Sequence, residues 1–380
     1  MIPTFYQTHL KKQLTKAHFL VMTTLLSVIQ SEKQVRLERL ARVFPYPITT
    51  ESRRRKIQRF LDLPSLTISL IWFPLITYWL TTYCCIGTRL SIAIDRSQWG
   101  CINLFMVSLI WEKRAIPLYW SLLPKLGNSN LEEQTTNLEQ ILPLFSEYKV
   151  IVLGDREFCS VDLGNWLREK GVSFCLRLKK NHCIETEHLV WQRLDELGIV
   201  PGTSLYFQGK RVRKTQPATG FDVACKWKRN YGAWKVDEAW FILTDLGSLS
   251  AAIDAYKQRM GIEEMFRDCK TGGYDLEGTS LKGDRLINMI LLMTLAYSSG
   301  IFQGTEMRKK QVQKYVSRRK EPKKRYRRRS TFGVGLDGEK WVNYLEQYSD
   351  EVEQLMKLSP NKRRFYQQGM RAATLIQSIS

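Results

Sequence analysis

The sequence predicts an α/β fold, and three observations predict it. Two apolar, β-prone runs each end on an acid, Leu90-Ser-Ile-Ala-Ile-Asp95 and Tyr148-Lys-Val-Ile-Val-Leu-Gly-Asp155. Between them, Cys101 to Glu112 and Ala115 to Leu122 read as two further strands joined by a turn at Lys113-Arg114. Amphipathic helical segments alternate with these runs. With 380 residues, 44% of them hydrophobic, the chain can bury a large core and divide into more than one domain.

Residues 1–65 read as helical: Phe5 to Gln30, then Gln34 to Val43, a turn over Pro45 to Thr50, and a basic helix from Glu51 to Leu61. The last two segments suggest a helix-turn-helix whose second helix could enter a major groove, with Arg53, Arg54 and Arg55 on DNA. The alternative is a small helical domain with a solvated basic face. Leu66 to Ile86 carries no charge over 21 residues and could span a bilayer by length. Its Thr and Tyr residues, Pro74 and direct run into the Asp95 strand favour a buried helix under the sheet, and no membrane association is expected.

A core spanning 66–178 and 239–305 then takes shape. After the three-strand meander come a helix from Leu131 to Phe145, the Asp155 strand, a helix from Val161 to Lys170 and a strand from Val172 to Leu178. Meander followed by strand-helix-strand is the order a ribonuclease H-like sheet requires. Residues 179–238 change to short, Gly-punctuated β-prone pieces, a β-rich insertion, and Ala239 to Thr244 returns the chain to the core. The insertion's Trp227 and Trp234 are candidates to stack on an unpaired base, although most tryptophans serve as core or strand-face residues. Ile287 to Phe302 reads as a buried helix closing the core, and 306–380 as a basic, helical C-terminal region. There, Trp341 to Ser359 is a dimerisation or packing helix.

Charge restricts the function classes. The net charge is +21 and the pI near 9.6, which points to a polyanionic partner. Arg308 to Arg329 holds 13 Lys or Arg against one Glu, supplying +12 and leaving +9 on the rest of the chain. That stretch suits a segment that neutralises phosphates without reading bases, the alternative being a solubilising tail. The eight cysteines contain no CxxC pair, and His182, Cys183 and His188 make only a loose group, so structural zinc is not expected. Cys84, Cys85, Cys101, Cys159, Cys175, Cys225 and Cys269 read as small apolar fillers in a reducing cytosol. No signal peptide is evident, because the first residues mix Lys and polar side chains.

Residues 256 to 270 carry the most specific pattern. At about 100° per residue, Tyr256, Arg259, Glu263 and Lys270 fall within roughly 60° of one another on a helix. One carboxylate is thereby flanked by cations and a phenol, while Glu264 and Asp268 point elsewhere. Alone this could be a solvated face with ordinary ion pairs. Together with Asp95 and Asp155 it supplies three carboxylates, the set that two-metal phosphodiester chemistry asks for. Hard oxygen donors select Mg²⁺, with Mn²⁺ able to substitute, and two ions are expected. Asp95 is the candidate bridge, with Asp155 and Glu263 each completing one side.

With these residues in place, the chain resembles the DDE transposases of insertion-sequence family four, whose third acid lies in a Tyr-x2-Arg-x3-Glu-x6-Lys signature. Tyr256, Arg259, Glu263 and Lys270 occupy all four places, and Ile-Asp95-Arg and Gly-Asp155-Arg-Glu-Phe resemble that family's first two catalytic blocks. The resemblance covers roughly residues 90 to 300. It implies a ribonuclease H-like core with a β-rich insertion before the last acid, and cut-and-paste DNA transposition through a hairpin on the excised end. It further implies Asp95, Asp155 and Glu263 as catalytic metal ligands and Tyr256, Arg259 and Lys270 as phosphate contacts at the element's end. The expected partners are double-stranded DNA, as terminal inverted repeats and target, and a second copy of the chain in a synaptic complex, in a bacterial cytoplasm at the nucleoid. Two rivals stay open: a structure-specific DNA nuclease on the same fold, and a domesticated DNA-binding protein without catalysis.

Overall fold

The structure is a computed structural model in which residues 2–186, 190–229, 238–270, 272–318 and 329–379 are described. It divides into two compact units, Met1–Leu75 with Asp268–Ser380, and Ile76–Arg267.

The first unit opens with four helices, α1 (Thr4–Gln13), α2 (Lys16–Glu32), α3 (Leu37–Val43) and α4 (Thr50–Leu61). The single helix expected over Phe5 to Gln30 is broken because the Thr15 side chain accepts the backbone N–H of His18 and caps α2. A short π-helical turn, Ile68–Trp72, leads into α5 (Phe73–Tyr83). The uncharged segment is not a buried rod: Ile68, Ile71, Trp72, Leu75, Ile76, Trp79 and Leu80 are buried, whereas Leu70 and Tyr78 are exposed. It is amphipathic, with Thr and Tyr covering the outer side.

The second unit carries one ten-stranded sheet. β1 (Arg89–Trp99), β2 (Ile102–Trp111) and β3 (Arg114–Leu122) form an antiparallel meander. Its second turn places Glu112 and Lys113 at positive φ, the geometry of a two-residue hairpin. The Asn130 capping box starts α6 (Leu131–Glu139), which stops before Pro143 and gives way to a single 3₁₀ turn, shorter than the sequence suggested. Then follow β4 (Lys149–Gly154), α7 (Val161–Glu169) and β5 (Ser173–Arg177), with β1, β4 and β5 parallel. The sheet order begins β3-β2-β1-β4-β5, the meander and strand-helix-strand arrangement that the pattern predicted.

The β-rich insertion does not stand apart. β6 (Cys183–Glu185), β7 (Trp191–Arg193), β8 (Ser204–Val212), β9 (Ala218–Lys226) and β10 (Trp240–Thr244) extend the same sheet in the order β10-β9-β8-β6-β7, with β10 antiparallel to β5. Helices cover both faces. Along β5, Phe174 lies under Gly164 of α7, while the next residue, Cys175, reaches Ala252 of α8 (Leu249–Gln258). Successive strand residues point to opposite faces, so β4 and β5 are buried on both sides and read as continuous apolar runs.

After α9 (Met260–Cys269), the chain in the first unit forms α10 (Gly283–Lys309), α11 (Gln313–Val316), α12 (Thr331–Gln347), α13 (Ser349–Lys357) and α14 (Arg363–Gln377). The helix α10 contains the predicted Ile287 to Phe302 segment and groups with the N-terminal helices. Among the described residues it is the one helix long and apolar enough to cross a membrane, and 83% of its apolar window is buried in the protein. It packs backbone against backbone on α12. A Cβ at Gly304 would meet the carbonyl oxygen of Thr331, and one at Gly335 the carbonyl of Gly300. Of the basic stretch, 319–328 lies outside the described residues, while Arg308 to Arg318 runs from the end of α10 through α11. Trp341 is a packing residue of α12, stacked on Tyr315.

Candidate active site

Strand register brings the first two carboxylates together. In the parallel pair β1 and β4, Arg89 lies opposite Lys149 and Ala93 opposite Leu153. Two positions further along that register, Asp95 comes level with Asp155, just past the last paired residues. Neighbouring strands run about 4.8 Å apart, so two acids separated widely in sequence become side-by-side neighbours. Asp95 is not at the end of its strand, because β2 carries β1 onward and pairs Asp95 with Met106.

Each aspartate is oriented by a backbone N–H that follows it. Asp95 Oδ1 accepts from Arg96 at 2.7 Å, and Asp155 Oδ1 from Glu157 at 2.8 Å. Asp155 thereby caps the 3₁₀ turn Arg156–Phe158. Gly154 is required here, since a Cβ would fall 2.8 Å from Phe158 Cβ and push the turn away.

The third acid enters on a helix that is interrupted, not continuous as the sequence pattern assumed. α8 ends at Gln258 and α9 begins at Met260, with Arg259 in a tightened turn whose N–H bonds Tyr256 O. Arg259 is 8% exposed and bridges two acids: Nη1 lies 3.4 Å from Asp95 Oδ2, and Nη2 bonds Glu263 Oε1. Glu263 is exposed on its outer side, whereas Glu264 pairs with Arg114 and Arg267 away from this group. Tyr256 is 3% exposed, packs edge-on against Trp240 at 5.1 Å, and lies 5.9 Å beneath the Arg259 guanidinium. Burial pushes the Tyr256 phenol upward, against the nearby Arg259 and Arg177 charges.

Burial also pushes the Asp95 carboxyl up, from 3.8 to about 7. Arg259 and the Arg96 N–H oppose the rise, while the negative charges of Asp155 and Glu263 add to it. Asp95 therefore feels Asp155 and Glu263, and its ionised form is short of stabilising positive charge chiefly because it is buried.

A divalent cation would relieve that shortage, and three carboxylates are the donors a hard ion takes. The spacing is another matter. Among the described residues no three His, Cys, Asp or Glu side chains are arranged to hold a metal ion. The sequence led us to expect a converged three-acid cage; in the structure Arg259 occupies the space between Asp95 and Glu263, serving as their cation. The donor chemistry fits, and seating an ion requires Arg259 to release a carboxylate.

The remaining predicted residues are placed as follows. Lys270 lies in the first unit, just past α9, and pairs with Glu277 at 2.8 Å. Trp227 is half-buried at the end of β9, its backbone bonded to Gly202 and Thr203, and Trp234 lies outside the described residues. Arg53 does not face solvent freely: Nη1 donates to the carbonyls of Arg42 and Phe44, tying α4 to the end of α3. Arg54 and Arg55 both pair with Glu51. Of the His182, Cys183 and His188 group, His182 contacts Cys159 at 3.8 Å and His188 lies outside the described residues. Only Cys175, Cys225 and Cys269 are buried fillers; Cys85 and Cys101 are exposed.

Sequence reasoning passed over the neighbours of the two aspartates. Arg96 and Glu157 form a half-buried ion pair at 2.8 Å, and Arg156 and Arg177 share Glu238 at 2.6 and 2.7 Å. Adjacency to an acid was the one available signal, and it does not reveal a partner sixty residues away.

No curated protein matches the sequence. Among solved structures, the cryo-EM structure of a piggyBac transposase synaptic complex with hairpin DNA is similar at a TM-score of 0.43 and 12% identity, over 91% of this chain and 78% of that one. Residues 122–299, a span that holds Asp155 and Glu263 and begins after Asp95, match the family model described as "Transposase DDE domain".

Proposed function

We propose that this chain cuts and rejoins DNA at the ends of an insertion sequence, on a ribonuclease H-like core, with Asp95, Asp155 and Glu263 as the catalytic acids. The carrying observation is the β1–β4 register that sets Asp95 level with Asp155, with Arg259 joining Asp95 to Glu263. In this reading the three carboxylates hold two Mg²⁺ ions, or Mn²⁺ in their place. Bound there, the ions would activate an attacking oxygen and stabilise a leaving one on a phosphodiester.

The chain's own residues do the rest. The N–H groups of Arg96 and Glu157 fix one oxygen of each aspartate. Arg259, on leaving a carboxylate, becomes a charge-assisted donor to a phosphate of the scissile strand; Tyr256 and Lys270 are further phosphate contacts at the element's end in this reading. Because no side chain forms a covalent link to DNA, the same site serves successive oxygen nucleophiles, water first and a DNA 3′-OH later. Excision through a hairpin end, recognition of terminal inverted repeats, a homodimeric synaptic complex and a nucleoid location belong to the proposal.

The test is end cleavage in Mg²⁺ by Asp95→Asn, Asp155→Asn and Glu263→Gln. Each variant should lose cleavage while still binding a terminal-repeat duplex. A variant that cuts at the wild-type rate removes that acid from the site. Equal cutting of branched junctions and repeat ends would favour the nuclease alternative.

A further inference from the structure

Asp95 and Asp155 are held by the backbones of Arg96 and Glu157, and the side chains of those same two residues are locked to each other. Arg96 Nε donates to both Glu157 oxygens, at 2.8 and 3.1 Å. Its Nη1 donates to Gln98 Oε1 at 3.0 Å and to Asn103 Oδ1 at 2.8 Å. Glu157 Oε1 also accepts the backbone N–H and the hydroxyl of Ser129, both at 3.1 Å. The pair is shielded, with side chains 13% and 15% exposed.

Its location separates it from the chemistry. Successive strand residues point to opposite faces, so Arg96 projects from the face away from Asp95. On that side its neighbour across the ladder, Phe105, packs on Phe158 at 5.8 Å.

We infer that Arg96 and Glu157 form a positioning clamp, a salt bridge across the back of the sheet that fixes the separation and orientation of Asp95 and Asp155. β1 and β4 stop pairing at Ala93 and Leu153, so ladder bonds no longer hold the strands at the level of the acids. The clamp replaces them at that point. With Nε on the Glu157 carboxylate and Nη1 on Gln98 and Asn103, the planar guanidinium is held at two separate nitrogens, which restricts rotation as well as distance in a way a lysine ammonium cannot.

The inference rests on Asp95 and Asp155 bearing the metal, and the test keeps the two apart. The measurement is the dissociation constant of Mn²⁺ from the full-length protein without DNA, by electron paramagnetic resonance of the free ion. For Glu157→Gln and Arg96→Gln the expected result is about 10- to 100-fold weaker binding, with Arg96→Lys between them and the wild type. Binding of a repeat-end duplex without metal should be unchanged. A folded Glu157→Gln protein with a lower melting temperature and wild-type Mn²⁺ affinity would make the pair merely structural and overturn the clamp. If Glu157→Gln does not fold, Ser129→Ala removes only one side-chain bond to Glu157 and should still weaken Mn²⁺ several-fold; wild-type affinity there counts equally against the clamp. Full cleavage by Asp95→Asn and Asp155→Asn would instead sink the catalytic reading itself.

Discussion

Replacing Asp95 with Asn should remove a pH-dependent instability from the metal-free protein. In the folded chain this carboxyl titrates at about 7, pushed up chiefly by burial, against 3.8 when unperturbed. Between those values the folded state keeps a proton that the unfolded chain has released, so stability falls as pH rises. The sign is opposite to that of an acid stabilised by its ion pair. Three powers of ten in ionisation, each worth about 1.4 kcal/mol, amount to about 4 kcal/mol lost between pH 4 and 7 and nothing further above. The assay is urea unfolding in EDTA, followed by tryptophan fluorescence, for the wild type and Asp95→Asn from pH 4 to 8. Subtracting the two curves removes groups common to both. The wild type should lose about 4 kcal/mol relative to the variant across that window. Mg²⁺ at pH 8 should then recover stability in the wild type alone, because only there does a cation find the ionised acid. A difference constant to within about 1 kcal/mol across the pH range would refute the reasoning that burial governs Asp95.

Three further outcomes follow from particular contacts. Gly154→Val should cost about 2 kcal/mol or more and abolish end cleavage, since the side chain collides with Phe158 and displaces the turn that carries Asp155; denaturant midpoints and a cleavage gel check it. Arg53→Ala should destabilise the first unit by about 1 to 2 kcal/mol through lost bonds to the Arg42 and Phe44 carbonyls, measured by thermal unfolding; a loss of DNA affinity without any loss of stability would return Arg53 to the DNA-contact set. Lys270→Ala should weaken repeat-end binding and reduce the slope of log affinity against log salt by about one, and an unchanged slope would leave Lys270 a structural residue paired with Glu277.

Much of the fold was legible because its signals are local. The Asp95 and Asp155 runs, the meander and the strand-helix-strand order follow from alternating or continuous apolar patterns that each segment expresses by itself. Thr15 and Pro143 show the limit. Both interrupt helices that periodicity alone drew as continuous, because a capping oxygen or a missing N–H outweighs a modest apolar stripe. The insertion's segments form strands, and Ala239 to Thr244 was read as returning to the core, yet nothing in the insertion's composition disclosed that β6 to β9 would lengthen the same sheet.

The candidate site divides in the same way. The sequence by itself determined that the chain is strongly basic and carries Asp95, Asp155 and the Tyr256, Arg259, Glu263 and Lys270 spacing, because charge and position are properties of residue type and order; that these form one set was what the family resemblance implied. Only the tertiary structure decided which groups touch. It set Asp95 beside Asp155 by strand register, put the Arg259 guanidinium between Asp95 and Glu263, committed Arg53 to backbone carbonyls, and joined Arg96 to Glu157. These are pairings across long stretches of chain, and their energies depend on burial and on distances of a few ångströms, quantities that no single segment contains.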